Sequence, residues 1–93
     1  MRRPHEMVAT AAIRVDGEVW ALPRPARHHV LVRAWCLAHW RDGEEASLGR
    51  HDSGFVTSRG RFVERDEAER IARASGQLTG PLIGGILTSE DLW

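Results

Sequence analysis

The chain has 93 residues and a mass of 10.5 kDa, with 13 arginines, 13 carboxylates and no lysine. This length fits a single domain over residues 1–93 and excludes an enzyme built from separate cofactor and substrate domains. A formal net charge of zero argues against a DNA- or RNA-binding protein held by phosphate neutralisation. The longest uncharged run, residues 74–89, contains glycines and a proline, so we expect no membrane span.

The single cysteine, Cys36, permits no internal disulfide and suits a reducing cytoplasm. No apolar stretch follows Met1, Arg2 and Arg3, so we expect no secretory signal. Charge is uneven along the chain: arginines outnumber carboxylates in residues 1–41, and the reverse holds in residues 42–93. Such a chain could pair its own halves or pair head to tail with a second copy.

The first half of the chain predicts a hairpin followed by a helix. Apolar and polar residues alternate over residues 7–22 around Asp16-Gly17, a pair that supplies the positive φ angles of a two-residue turn. After Pro25, apolar residues recur at three- and four-residue spacing from about 26 to 40, as in an amphipathic helix. We expect this helix to end at Asp42-Gly43 and a loop to cover residues 44–53.

The second half predicts another hairpin and helix. Residues 54–57 and 61–63 flank a turn in which Gly60 takes the left-handed conformation. A helix should then run from residue 64 or 65 to Ser75, with Gly76 just past its end. Residues 77–85 are expected to form a linker, and residues 86–88 a short final strand. The predicted fold class is therefore α+β, a small antiparallel sheet packed with two helices.

No residue pattern points to a metal or to covalent catalysis. His28 and His39 would share a helix face, but at roughly 16 Å they are too far apart to share a zinc ion. Cys36 lies in the first helix, where a buried, unreactive thiol is expected. We therefore expect no metal, no cofactor and no catalytic residue.

Several groups could instead hold a ligand. Arg27, His28 and His29 stand at the start of the first helix, where free N–H groups and a cation favour phosphate, although surface and core roles also explain them. Phe55 could stack on a base or serve as a core aromatic. Glu64 and Asp66 could accept hydrogen bonds from ribose hydroxyls or cap the second helix.

The order of these groups resembles a known family. The segments Arg27-His28-His29, Gly54-Phe55-Val56-Thr57, the run 60–68, Ile71-Ala72 with Gly76-Gln77, and the terminal run 89–93 are similar to the first-described class of Thoeris anti-defence proteins of phages. The match covers about three-quarters of the chain. It leaves out the N-terminal strand and residues 41–53. The sequence departs from the pattern of that family in one respect, because no arginine follows Gln77.

The resemblance implies a sponge that binds glycocyclic ADP-ribose, or related cyclic di- and trinucleotides, without cleaving them, in the cytoplasm of the infected bacterium. It also implies homo-oligomers, dimers or assemblies up to hexamers, with pockets at subunit contacts. By that resemblance Arg27 contacts phosphate, Phe55 stacks on adenine, and Glu64 and Asp66 contact ribose or base. The same matched segments complete the candidate ligand-binding set with His28, His29, Thr57 and Arg61.

Two other functions remain open from the residues. A small enzyme could degrade the same signal, with His28 or His29 as general acid or base. An inhibitor could instead act by contact with a host protein, using Trp20, Trp40 and Trp93 as anchors.

Overall fold

A computed structural model describes residues 6–40 and 48–93. Its elements follow in chain order as two hairpins, each succeeded by a helix: β1 (Val8–Val15), β2 (Glu18–Ala21), α1 (His28–Ala38), β3 (Asp52–Thr57), β4 (Phe62–Glu64), α2 (Arg65–Ala74) and a 3-10 helix (Ser89–Asp91). The four strands form one antiparallel sheet in the order β2-β1-β3-β4. The predicted α+β class is confirmed.

Both hairpin turns form where the glycines predicted them. Asp16 and Gly17 have φ angles of 50° and 80°, the pair of positive values that a type I′ turn requires. Gly60 has a φ of 78°, which permits the tight return from β3 to β4.

The core lies on one face of the sheet, beneath both helices. Ile13, Phe55 and Val63 point to this face and belong to one buried cluster with Leu31 of α1 and Ala68 of α2. Because side chains alternate along a strand, Arg14, Gly54, Phe62 and Glu64 belong to the other face. We call that second face the open face.

Two side chains complete the edge of β1 beyond the end of β2. The pairing with β2 covers only the stretch from Ala12 to Val15 of β1. Nearer the start of the strand, the Gln77 amide accepts from the Val8 N–H and donates to the Val8 carbonyl, both at 2.8 Å. Arg24 donates to the carbonyls of Val8 and Ala9, where the pairing with β3 is irregular.

The first helix is shorter and more exposed than predicted. It begins at His28 and buries Leu31, whereas Val30 and Leu37 of the expected apolar face are exposed. Cys36 is partly exposed, so the prediction that its thiol is buried is wrong. The predicted stop at Asp42-Gly43 and the start of the predicted loop lie outside the described residues.

Two further predictions for the second half of the chain, one boundary and one strand, are also wrong. Strand β3 begins at Asp52, two residues before the predicted start, because Asp52 and Ser53 pair opposite Arg14 and Ile13. Residues 86–88 do not form a strand. The Asp91 carboxylate accepts from the N–H groups of Ile83 and Thr88, and the 3-10 helix begins only after this segment, at Ser89.

Candidate functional site

Three aromatic rings meet at the start of α1. The His28 and Phe55 ring centroids lie 5.1 Å apart, edge to face, and the Phe55 and Trp93 centroids lie 6.3 Å apart in the same arrangement. The Trp93 indole N–H donates to the Ala26 carbonyl, just before the helix begins. We call His28, Phe55 and Trp93 the aromatic cluster.

His28 is held as a neutral ring by this packing. Its Nε2 lies 2.8 Å from the Gly54 carbonyl, which can only accept, so Nε2 carries the proton. Burial lowers the pKa of His28, and the positive charge of Arg65 acts in the same direction. The side chain therefore fixes the start of α1 against β3 and has its Nε2 proton already engaged.

Arg27 stands at the N-cap of α1 without a matching anion. No side chain caps this end of the helix within the described residues, and the first turn contains no carboxylate. The Arg27 Nη1 atom is buried and has no hydrogen-bond partner in the described part of the chain. A buried, unsatisfied guanidinium nitrogen is costly, and Arg27 as a whole is only partly buried, so this position favours an incoming anion.

Two further arginines surround the aromatic cluster. Arg65 donates to the Leu87 carbonyl, and burial lowers the pKa of its guanidinium. Arg24 lies 4.9 Å from the centroid of the Trp93 ring. Among the described residues, neither arginine has a carboxylate oxygen within 4.0 Å of its nitrogens. The start of α1 is therefore positively charged.

A groove of about 370 Å³ opens where β3 begins and α2 begins. It combines three carboxylates with a histidine, a hydroxyl and a guanidinium; its lining residues are His51, Asp52, Ser53, Glu64, Arg65 and Asp66. Glu64 is the N-cap of α2, and its side chain makes no capping hydrogen bond within the described residues. Among the described residues, Glu64 and Asp66 accept no hydrogen bond with their side chains and are available to a ligand, whereas Asp52 accepts from Arg14.

The structure separates the eight predicted ligand-binding residues into several places. Glu64 and Asp66 share the groove, and Arg27 and His28 lie together at the start of α1. His29 belongs to a different surface depression on α1, beside Arg33 and Cys36.

Thr57 and Arg61 lie at the other end of β3, away from the groove. The Thr57 hydroxyl donates to Glu6, and Arg61 forms ion pairs with Glu6 at 2.7 Å and Glu67 at 3.3 Å. Their polar atoms are thus engaged within the chain.

Phe55 lies in the core. Its side chain is completely buried, and it is the largest of the fully buried side chains. A base has no access to its ring in this conformation, so the structure favours the alternative role of core aromatic.

Sequence reasoning missed four of the groove residues: His51, Asp52, Ser53 and Arg65. The available signal was strand pairing, because Gly54 pairs with Glu64 and so brings the residues before Gly54 beside the start of α2. Reading residues 44–53 as a loop concealed this signal.

The described residues contain neither a candidate metal site nor a helix that could cross a membrane. Within residues 6–40 and 48–93, no three histidine, cysteine or carboxylate side chains are grouped so that they could hold a metal ion. No described helix has both the length and the apolar character that a membrane crossing requires.

The fold and the positively charged start of α1 are those of a small α+β protein with a candidate anion site. The chain belongs to the family of the phage T4 y16D protein, which matches residues 7–93, and is therefore a phage protein. No curated protein and no solved structure matches the chain significantly.

Proposed function

We propose that this phage protein captures a phosphate-bearing cyclic nucleotide signal and holds it without cleaving it. The ligand is of the glycocyclic ADP-ribose class, or a related cyclic di- or trinucleotide, and the protein acts in the cytoplasm of the infected bacterium as an anti-defence sponge. The observation that carries this proposal is the buried Arg27 Nη1 atom without a partner at the uncapped start of α1.

Phosphate is the anion that suits this position. The N–H groups at a helix start point outward and the helix dipole is positive there, so an anion is stabilised even without side chains. The planar guanidinium of Arg27 adds paired donors. Arg65, which also lacks a carboxylate partner among the described residues, supplies a second cation in place of the arginine missing after Gln77.

The groove supplies the contacts that a sugar requires. Its volume of about 370 Å³ lies within the range of small-molecule sites. Glu64 and Asp66 present carboxylates that accept from ribose hydroxyls, and Ser53 of the groove lies next to Gly54, whose carbonyl accepts from His28 at the start of α1. A single nucleotide ligand lying along the groove would contact both regions.

His28 supports binding without cleavage. Its ring is mostly surrounded by protein, its lowered pKa keeps it neutral, and its Nε2 proton is bonded to Gly54. A general acid must release its proton to the ligand, and this proton is already committed to the backbone.

Self-association is part of the proposal. Val30 and Leu37 of α1, and Trp40 just after it, expose apolar surface, and such surface is typical of contacts between protein copies. We expect a dimer or a larger homo-oligomer, which light scattering of the purified protein measures directly.

Ligand release from the purified protein tests the function. The protein is incubated with glycocyclic ADP-ribose and with cyclic di- and trinucleotides, freed of unbound ligand and denatured, and the released molecules are analysed. We expect the parental chain to release intact ligand. Since a hydrogen bond to a charged group is worth about 1.5–3 kcal/mol, Arg27→Ala should bind about 10- to 150-fold more weakly.

The control is Arg70→Ala, which removes an exposed arginine of α2 and should bind like the parental chain. Release of altered ligand would indicate an enzyme, and release of none would favour an inhibitor that contacts a host protein. Full binding by a folded Arg27→Ala variant would contradict the proposed phosphate site.

A further inference from the structure

The open face of the sheet carries an arginine stacked on an aromatic ring. The Arg14 guanidinium carbon lies 4.6 Å from the centroid of the Phe62 ring. Both side chains are partly exposed, on the face that neither helix covers. Phe62 is the only phenylalanine besides Phe55, which is completely buried.

Gly54 allows the Phe62 ring to lie against the sheet. A Cβ atom at residue 54 would collide with the Phe62 ring and with the Val63 carbonyl. With glycine in this position, the ring rests on the backbone of β3 and Arg14 covers it. The glycine of the Gly54-Phe55 motif therefore serves the open face, whereas Phe55 serves the core.

Two carboxylates fix the Arg14 guanidinium. Asp52 accepts from Arg14 Nε at 3.2 Å and from Nη2 at 3.0 Å, and a Glu64 oxygen lies 3.8 Å from Nη2. The planar group is thus held in place with its charge paired. Fixed guanidinium planes and aromatic rings are the surfaces on which nucleobases stack in proteins.

The stacked pair is continuous with the groove. Asp52 and Glu64 hold Arg14 and also line the groove. The side of the groove at the open face therefore borders the Arg14 guanidinium. On its other side, the groove includes Ser53, whose neighbour Gly54 accepts a hydrogen bond from His28 at the start of α1. A ligand with phosphate at Arg27 and sugar in the groove would therefore place its base at the open face.

We propose that Arg14 and Phe62 form the nucleobase subsite of the bound nucleotide, an inference that rests on the proposed function. The base stacks on the outer face of the Arg14 guanidinium, whose inner face rests on Phe62, and an exocyclic amino group donates to Asp52 or Glu64. The subsite takes adenine-type bases, because carboxylates accept from amino groups and reject carbonyl oxygens.

The affinity of glycocyclic ADP-ribose for single variants tests this subsite. Phe62 supports the guanidinium on which the base stacks, so Phe62→Leu should weaken binding between about fivefold and about 150-fold, the range for loss of a stacking contact. Phe62→Tyr keeps the ring and should bind like the parental chain. The control Val19→Ala trims an exposed side chain on the same face, one strand beyond β1, and should have no effect.

Fluorine NMR distinguishes the two phenylalanines when both carry a para-fluorine. We expect glycocyclic ADP-ribose to shift the Phe62 resonance, which Phe62→Leu assigns, and to leave the Phe55 resonance in place. A shift confined to Phe55, or full affinity in Phe62→Leu, overturns the subsite while the proposed function stands.

Other outcomes separate the two proposals. If Phe62→Leu weakens binding and Arg27→Ala does not, the subsite stands and the phosphate site is wrong. If the parental chain binds no cyclic nucleotide, both proposals are overturned.

Discussion

The Glu6 carboxylate accepts hydrogen bonds from Arg61 and Thr57 at the end of β3 that lies away from the groove. The hydrogen bond from Arg61, with a smaller contribution from Thr57, lowers the pKa of Glu6 to about 2, compared with 4.5 for a free glutamate. The same contact raises the pKa of Arg61. Thr57 and Arg61 thus have a defined structural role in the fold.

This shift gives the fold a pH dependence of known sign. A carboxyl whose pKa is lower in the folded chain stabilises the fold above its unfolded value, near 4.5, and that contribution disappears as the pH falls toward about 2. We expect Glu6→Gln to lower the thermal midpoint at pH 7, and its difference from the parental chain to shrink between these two values. Circular dichroism melts over this pH range measure the effect.

Glu18→Gln is the matched control, because Glu18 is an exposed glutamate of β2 for which no side-chain hydrogen bond is seen among the described residues. Its midpoint should follow that of the parental chain. A constant gap between Glu6→Gln and the parental chain at every pH would contradict the assignment.

At the scale of elements, β1 depends on a side chain in place of a neighbouring strand. Gln77 makes both hydrogen bonds that a residue of a paired strand would make to Val8. Gly76, with a φ of 82°, ends α2 in the conformation that directs Gln77 toward β1. The Gly76-Gln77 pair of the sequence motif therefore serves to complete the edge of the sheet at β1.

Removing the Gln77 amide should free this edge. Gln77→Met keeps the length of the side chain but leaves the Val8 N–H and carbonyl without those bonds, at an expected cost of about 2–4 kcal/mol in the free energy of unfolding. Urea denaturation measures this cost, and hydrogen exchange should be faster at the Val8 amide.

Thr79→Val, an exposed position two residues further on, is the control and should change stability by less than about 0.5 kcal/mol. Equal stability of Gln77→Met and the parental chain would contradict this role of Gln77.

Most elements could be predicted because their signals are local. Asp16-Gly17, Gly60 and Gly76 each require a positive φ, and each marks a turn or a helix end that the structure contains. The start of β3 could not be predicted from residues 51–53 alone, since Asp52 joins the sheet by pairing with Arg14, a distant residue. The final strand was wrong because the Asp91 side chain satisfies backbone groups that a strand would have paired.

The candidate site was less predictable than the fold. The polarity of Glu64 and Asp66 was enough to propose their exposure, and the groove contains both. The burial of Phe55 and the exposure of Phe62 depend on which face of the sheet each residue occupies, and that register follows from tertiary pairing. A one-residue change in register exchanges the two faces.

At the scale of the whole molecule, Trp93 joins segments that are far apart in the chain. Its ring packs against Phe55, lies beneath the Arg24 guanidinium, and donates a hydrogen bond to Ala26. The terminal motif of residues 89–93 thus closes the core beside the start of α1.

Trp93→Ala should therefore destabilise the whole fold. Loss of the ring and its hydrogen bond should cost about 3 kcal/mol, the lower end of the range for removing a large aromatic from a core, because Trp93 is partly exposed. Chemical denaturation measures the change. Ile83→Ala, which trims a side chain that is 75% exposed, is the control and should cost less than about 1 kcal/mol. An equal cost for the two variants would contradict this role of Trp93.

The central pairing of the sheet also determines how the chain reaches this fold. Each hairpin forms from a contiguous stretch, but β1 and β3 join residues far apart, such as Arg14 and Asp52, which are 38 positions apart. Closing so long a loop costs entropy before any contact compensates for it, and sheets built this way fold slowly. We therefore expect the meeting of the two hairpins to be the slow step in folding. Until it occurs, newly made chains expose unpaired strand edges through which they can aggregate.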